Sequence, residues 1–388
     1  MNAEPSGRTI EMIGRLIAFD TVSRHSNLAL IHWVRDYLEG LDVPCRLVHD
    51  ESGAKANLFA TIGPLDRPGI ALSGHTDVVP VDGQDWQSDP FRAEVRDGRL
   101  YGRGSADMKS FIAIALALAP DAQRQGLKIP LHLALSYDEE VGCYGARRLL
   151  AEMKTWPQRP AACIIGEPTS MQVVTGHKGK HSYECRVHGL AGHSSLTHQG
   201  VNAVEAAAEI VAHIKSLARR HRDKGPFDPD FVPPYTTLHT GTIAGGTALN
   251  IVPAECRFAF EIRNLPGDDA DALLAEIRDF AARHVEPEMQ AVDRGTGVSF
   301  MTELGLPGLA TAEDAEVTTL AKALAEANGT AKVSFGTEAG LFSDAGIPTI
   351  VCGPGSIEQA HKADEWIALE QIAAGESFVH RLLERVRG

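Results

Sequence analysis

No hydrophobic run in this 388-residue sequence approaches the ~20 residues that a membrane-crossing helix needs; the longest, residues 111–120 (FIAIALALAP), reads as a buried helix. Positive charge is also scarce. The 37 Lys and Arg stand against 51 Asp and Glu, a net charge of −14, so the footprint for binding nucleic acid or a membrane surface is missing. Cysteine is sparse and unpatterned: Cys45, Cys143, Cys163, Cys185, Cys256 and Cys352 form no C-x-x-C pair. They suit reduced thiols in a cytoplasmic protein better than a disulfide framework. The first twenty residues carry Glu4 and Glu11 in an interrupted apolar pattern, unlike the continuous apolar segment of a secretory signal. Internal repeats and low-complexity tracts are lacking too.

What is present is a globular composition, 44% hydrophobic, in a chain long enough for two cores. Helical periodicity at residues 9–17, 28–38 and 110–119 alternates with short aliphatic runs at 70–73, 131–136 and 162–165. That alternation predicts an α/β catalytic domain, a mostly parallel sheet covered by helices. After Glu167 glycines become frequent and 181–188 (HSYECRVH) reads as a half-solvated strand. A long helix pattern (203–219), a Pro-rich loop, strands near 238–243 and 255–262 and a helix near 269–283 follow, predicting a smaller inserted α+β domain. A helix at 312–327 and the run PTIVC (348–352) restore the first texture. The expected division is 1–179 with 299–388 for the catalytic domain and 180–298 for the insertion.

The chemistry lies where the aliphatic runs end. Residues 70–73 lead into His75 and Asp77, 131–137 into Asp138, Glu139 and Glu140, 162–165 into Glu167, and 349–352 into His361. Asp107 stands just before the apolar helix. In an open α/β sheet ligands bind beyond the carboxyl ends of the strands, so these groups can converge on one crevice. Imidazoles and carboxylates without thiolate suit zinc, cobalt or manganese, and two such ions sharing a carboxylate suit amide or ester hydrolysis. His75 and Asp77, two apart in an extended segment, can share one face, with Asp77 orienting the imidazole. Glu139 and Glu140, being adjacent, point differently, so one can ligate while the other acts as a base. Taken singly, each carboxylate also fits a turn or a helix cap.

Four segments, SGHTDVVP (73–80), GRGSADMK (102–109), DEE (138–140) and GEPT (166–169), together resemble the M20 metallopeptidase family, in the family's order and from about Leu16 to the C-terminus. The resemblance implies a two-metal amidohydrolase acting on a small acyl amino acid, with two divalent ions, zinc or alternatively cobalt. His75, Asp107 and Glu167 would hold one ion, Asp107 bridging, and Glu140 and His361 the other. Glu139 would be the general base acting on a water between the metals, and Asp77 the partner of His75. The Asp107–Met108 peptide would be cis. GLAGHSSLTHQGVNAV (189–204) resembles the segment whose His, here His193, stabilises the oxyanion across a homodimer formed by the inserted lid domain. Asn250 and Arg263 match positions that hold the substrate's backbone and carboxylate, a task suited to the planar fork of Arg.

FGTEAGLF (335–342) and GPGSIEQAHKADE (353–365) are most similar to the branch that deacetylates N-acetyl-ornithine; desuccinylases carry an Asn-Glu pair after the last His where this chain has Asp364 and Glu365. Glu338 would suit a substrate with a free side-chain amine, or be an ordinary loop residue. His181, His188, His198 and His221 read as plain polar positions. A desuccinylase, aminoacylase or dipeptidase of the same family is the alternative, and a non-catalytic ligand-binding relative the rival from another class.

Overall fold

The computed structural model describes residues 4–302 and 305–388. The chain forms two compact units, Met1–Gly176 with Leu309–Lys332 and Thr337–Gly388, and His177–Gly308 with Val333–Gly336. As expected, the first unit is α/β. Its main sheet has four neighbouring parallel strands, Leu131–Ser136, Ile70–His75, Ala162–Ile165 and Thr349–Val351, flanked by antiparallel pairings. Every residue of Ala56–Ile62 and of Leu131–Ser136 is buried, which requires cover on both faces. Helices Gly7–Ile17, Leu28–Glu39, Lys109–Gln125, Glu316–Ala325 and Leu369–Arg387 share one apolar core with the sheet. Tyr144–Met153 and Ala339–Asp344 pack together and against sheet strands outside that core.

The apolar helix was expected at 110–119 from its periodicity. It runs instead through Pro120 to Gln125 and ends at left-handed Gly126. Pro120 cannot donate to the Leu116 carbonyl one turn back. That carbonyl accepts from Tyr37 Oη (3.2 Å) and the next, Ala117, from Arg8 Nη1 (3.2 Å), so neighbouring side chains supply what the proline withholds.

The second unit is α+β. Strands Thr237–Gly245, Glu255–Arg263, His181–His188 and Gly297–Thr302 form an antiparallel sheet in that order. Helices Ala203–Lys224 and Ala270–Phe280 bury their apolar stripes against it. Both start on side-chain caps, Asn202 accepting from Val204 and Glu205 N–H, Asp269 from Asp271 and Ala272 N–H. The expected boundary at 298 falls inside strand Gly297–Thr302, which pairs with His181–His188 and keeps the chain in the second unit to Gly308. Residues 1–3, 303 and 304 of the expected ranges lie outside the described residues. All six cysteines are free thiols. Among the described residues no helix is long and apolar enough to cross a membrane.

One buried group makes stability depend on pH. His132, in strand Leu131–Ser136, has Nδ1 3.0 Å from Thr61 Oγ, and burial pushes its pKa down to about 4. The unfolded chain protonates this imidazole near pH 6.5, so its contribution is complete above that pH. It is lost at roughly 1.4 kcal/mol per pH unit as pH falls from about 6.5 towards 4. His132→Gln should therefore lose less stability than the parent chain between pH 7 and 5, by about 2 kcal/mol. Denaturant unfolding at both pH values measures this, and parallel losses would refute the assignment.

Candidate metal centre

The four parallel strands deliver their carboxyl ends side by side, and each leads into an expected site residue. His75 is the last residue of Ile70–His75. Its Nδ1 donates to the Asp77 main-chain carbonyl (2.9 Å), with the Asp77 carboxylate farther off at 3.6 Å. That carboxylate is committed elsewhere: Oδ1 accepts from Glu139 N–H (3.0 Å), and Oδ2 from Ser23 Oγ (2.7 Å) and Glu140 N–H (3.4 Å). Asp77 thus orients the Glu139–Glu140 turn as directly as it orients His75. Lys55 holds the same turn through Asp138 Oδ1 (2.5 Å) and also reaches the Ser23 carbonyl.

His75 Nε2 faces inward, 3.0 Å from Asp107 Oδ1 and 3.9 Å from Glu167 Oε1. Asp107 Oδ2 lies 3.4 Å from His361 Nε2, which is also 3.1 Å from Glu140 Oε2. Asp107 therefore stands between the two imidazoles, and the Asp107–Met108 peptide is cis. Two donor groups, His75 with Glu139 and Glu167, and His75 with Asp107 and Glu140, each gather one atom per residue within 4.8 Å. Glu139, expected as a base, shares a donor group with His75 and Glu167.

The electrostatics show what this cluster demands. Burial, then the Asp107 charge, push Glu140 up and Glu167 well above the usual carboxylate range, and burial pushes Glu139 up to about 8. Burial would raise Asp107 too, but hydrogen bonds and charge from His361 and His75 hold it below its ordinary value. Asp107 and Glu140 in turn raise His361 to about 10, and Asp107 and Asp77 raise His75 despite its burial. Glu140 Oε1 is buried with no hydrogen-bond partner among the described residues. Crowded carboxylates, an orphan oxygen and two imidazoles aimed at the same anion form a donor set that fits divalent cations, which would take the place of those protons.

Glu338 corrects an expectation. Placed at the pocket wall to meet a substrate amine, it is 1% exposed, with Oε1 accepting from Ser73 Oγ (2.6 Å) and Oε2 from Ser136 Oγ (2.8 Å). Both oxygens are engaged by serines two residues before His75 and Asp138, so the carboxylate ties two site strands together. The signal available in the sequence was a serine at matching places in two apolar strands.

His193, Asn250 and Arg263 belong to the second unit. His193 pairs with Ile251 across a short ladder, and Ser194 N–H donates to the Asn250 carbonyl (3.1 Å), so the first two residues are local neighbours. His193 Nδ1 accepts from Ser195 N–H (3.1 Å), which leaves the ring proton on Nε2, a donor suited to an oxyanion. Arg263 directs Nε at Glu261 Oε1 (3.0 Å), an anion a substrate carboxylate would have to displace or share.

Fold and donor set together are those of a metal-dependent hydrolase. The chain belongs to peptidase family M20/M25/M40, whose profile matches residues 71–385. It is 37% identical over 384 residues to the acetylornithine deacetylase of Proteus mirabilis (strain HI4320), covering 97% of this chain and 96% of that one. It is equally 37% identical over 387 residues to the acetylornithine deacetylase of Myxococcus xanthus, with 96% of each chain covered. In three dimensions it resembles aminopeptidase PepT from Bacillus cereus, at TM-score 0.76 and 21% identity over 98% of both chains, a likeness of fold. The Bacillus subtilis YXEP protein, a dinuclear metal-binding peptidase of the M20 family, is alike in fold at TM-score 0.68 and 16% identity, and the first unit of this chain carries residue groups able to hold metal ions.

Proposed function

We propose that this chain hydrolyses N2-acetyl-L-ornithine to L-ornithine and acetate, a step of arginine biosynthesis, as a two-metal amidohydrolase. The observation that carries the reaction class is Asp107, one oxygen toward His75 and the other toward His361, with Glu139 gathered alongside His75 and Glu167. The substrate rests on the identity with acetylornithine deacetylases.

His75, Asp107 and Glu167 would hold one ion and Asp107, Glu140 and His361 the other; zinc suits these donors, and cobalt is accepted by the same set. When bound, the ions supply polarisation of the acyl carbonyl and acidification of a water. Glu139 takes the proton of the attacking water and passes it to the departing amine. Asp77 keeps the Glu139 turn and the His75 ring in place. His193 Nε2–H stabilises the oxyanion across the two-fold axis of a homodimer built on the second unit. Asn250 and Arg263 hold the amino-acid part of the substrate, Arg263 exchanging Glu261 for the substrate carboxylate.

The test compares kcat/KM on N-acetyl-L-ornithine, N-acetyl-L-methionine, succinyl-diaminopimelate and a dipeptide. The highest value on N-acetyl-L-ornithine supports the reading. A higher value on another substrate overturns the substrate and keeps the reaction class, and no turnover on any overturns both.

A further inference from the structure

His361 is an awkward metal ligand. Its side chain is 53% exposed, its backbone has φ +63, and Asp364 in the same turn has φ +52. An exposed ligand on a left-handed turn needs its backbone held from outside the ligand set. Three residues with no role in the reaction supply that hold. Gln84 Nε2 donates to the His361 main-chain carbonyl (3.2 Å), while its Oε1 accepts from Arg103 Nη2 (2.6 Å) and Trp86 Nε1 (3.1 Å). Arg103, 1% exposed, donates through Nη1 to Glu365 Oε2 (2.7 Å) and to the Lys362 carbonyl (3.2 Å). The buried Glu365 carboxylate then accepts the main-chain N–H of Gly104 (3.0 Å), Ala106 (2.8 Å) and Asp107 (3.0 Å).

We propose that Gln84, Arg103 and Glu365 are positioning residues that set the distance between Asp107 and His361, Glu365 acting on Asp107 through its N–H and Gln84 on His361 through its carbonyl. The inference rests on the two-metal reading above. Burying the Arg103–Glu365 pair costs desolvation of two charges, offset here by hydrogen bonds to both Nη groups and both carboxylate oxygens, while Arg103 Nε has no partner among the described residues. The device is asymmetric. Gln84 bonds directly to the backbone of one ligand, His361, and reaches the Asp107 loop only through Arg103, whereas Glu365 bonds directly to the Asp107 loop that both ions would share.

Cobalt(II) titration of the chelator-treated chain, followed by absorption, tests this without reference to turnover. The parent chain should show two binding steps, and His361→Ala should remove one, marking it. Gln84→Ala should weaken that same step about 10-fold and leave the other within about 2-fold, the size expected for a residue behind a ligand. Gln84→Glu, which keeps the acceptor for Arg103 but loses the donor to His361, should do likewise. Glu365→Gln should weaken both steps. Gln84→Ala with both steps unchanged, or both weakened equally, overturns the inference alone. A parent chain that takes up no pair of ions overturns the proposed function and this inference with it.

Discussion

Replacing Glu139 by Gln should lower kcat by a factor of about 10² to 10⁴, the range lost when a positioned general base is removed, while both cobalt-binding steps survive. The substitution keeps the shape of a side chain whose neighbourhood is set by other atoms: Asp77 holds its N–H, and Gly142 and Cys143 N–H donate to its carbonyl. What it removes is the capacity to take a proton. Burial pushes Glu139 up to about 8. A nearby cation favours the charged form and draws the pKa back towards neutrality, where a base works best. Activity should fall on the acid side as Glu139 becomes protonated, and Glu139→Gln should flatten that limb of the pH profile. Near-normal kcat in the variant would refute the assignment of the base.

Asp107→Asn should do what Glu139→Gln does not: abolish metal uptake along with turnover. Asp107 is the group that reaches both imidazoles, so replacing one anionic oxygen by an amide weakens both of the proposed ion sites together. A residue behind a ligand is worth 10 to 100-fold in affinity; a shared ligand should exceed about 100-fold for each ion. Cobalt titration and metal analysis after gel filtration measure it. Retention of one ion at parental affinity would show that Asp107 does not bridge.

Much of the site was legible because its chemistry interrupts apolar strands. His75, Glu140, Glu167 and His361 follow aliphatic runs, and the parallel order of those runs brings their ends together. What escaped is chemistry that depends on distant partners. Glu338 reads as a loop acid until Ser73 and Ser136 are seen on its two oxygens. Gln84, Arg103 and Glu365 carry no local signal, because each acquires its role from a residue far along the chain. The fold follows the same division. Strands such as Leu131–Ser136, long in apolar residues, were readable, whereas Cys45–His49, buried only at Val48, offers no alternation to find. The passage of the apolar helix through Pro120 depended on Tyr37 and Arg8, which a local window does not contain.

The most direct test of the account is acetate release from N-acetyl-L-ornithine by chelator-treated protein to which zinc is returned stepwise. The account predicts no turnover after chelation and full recovery as two ions per chain are taken up. Turnover that survives chelation, or a chain that binds no zinc at this cluster, would contradict it.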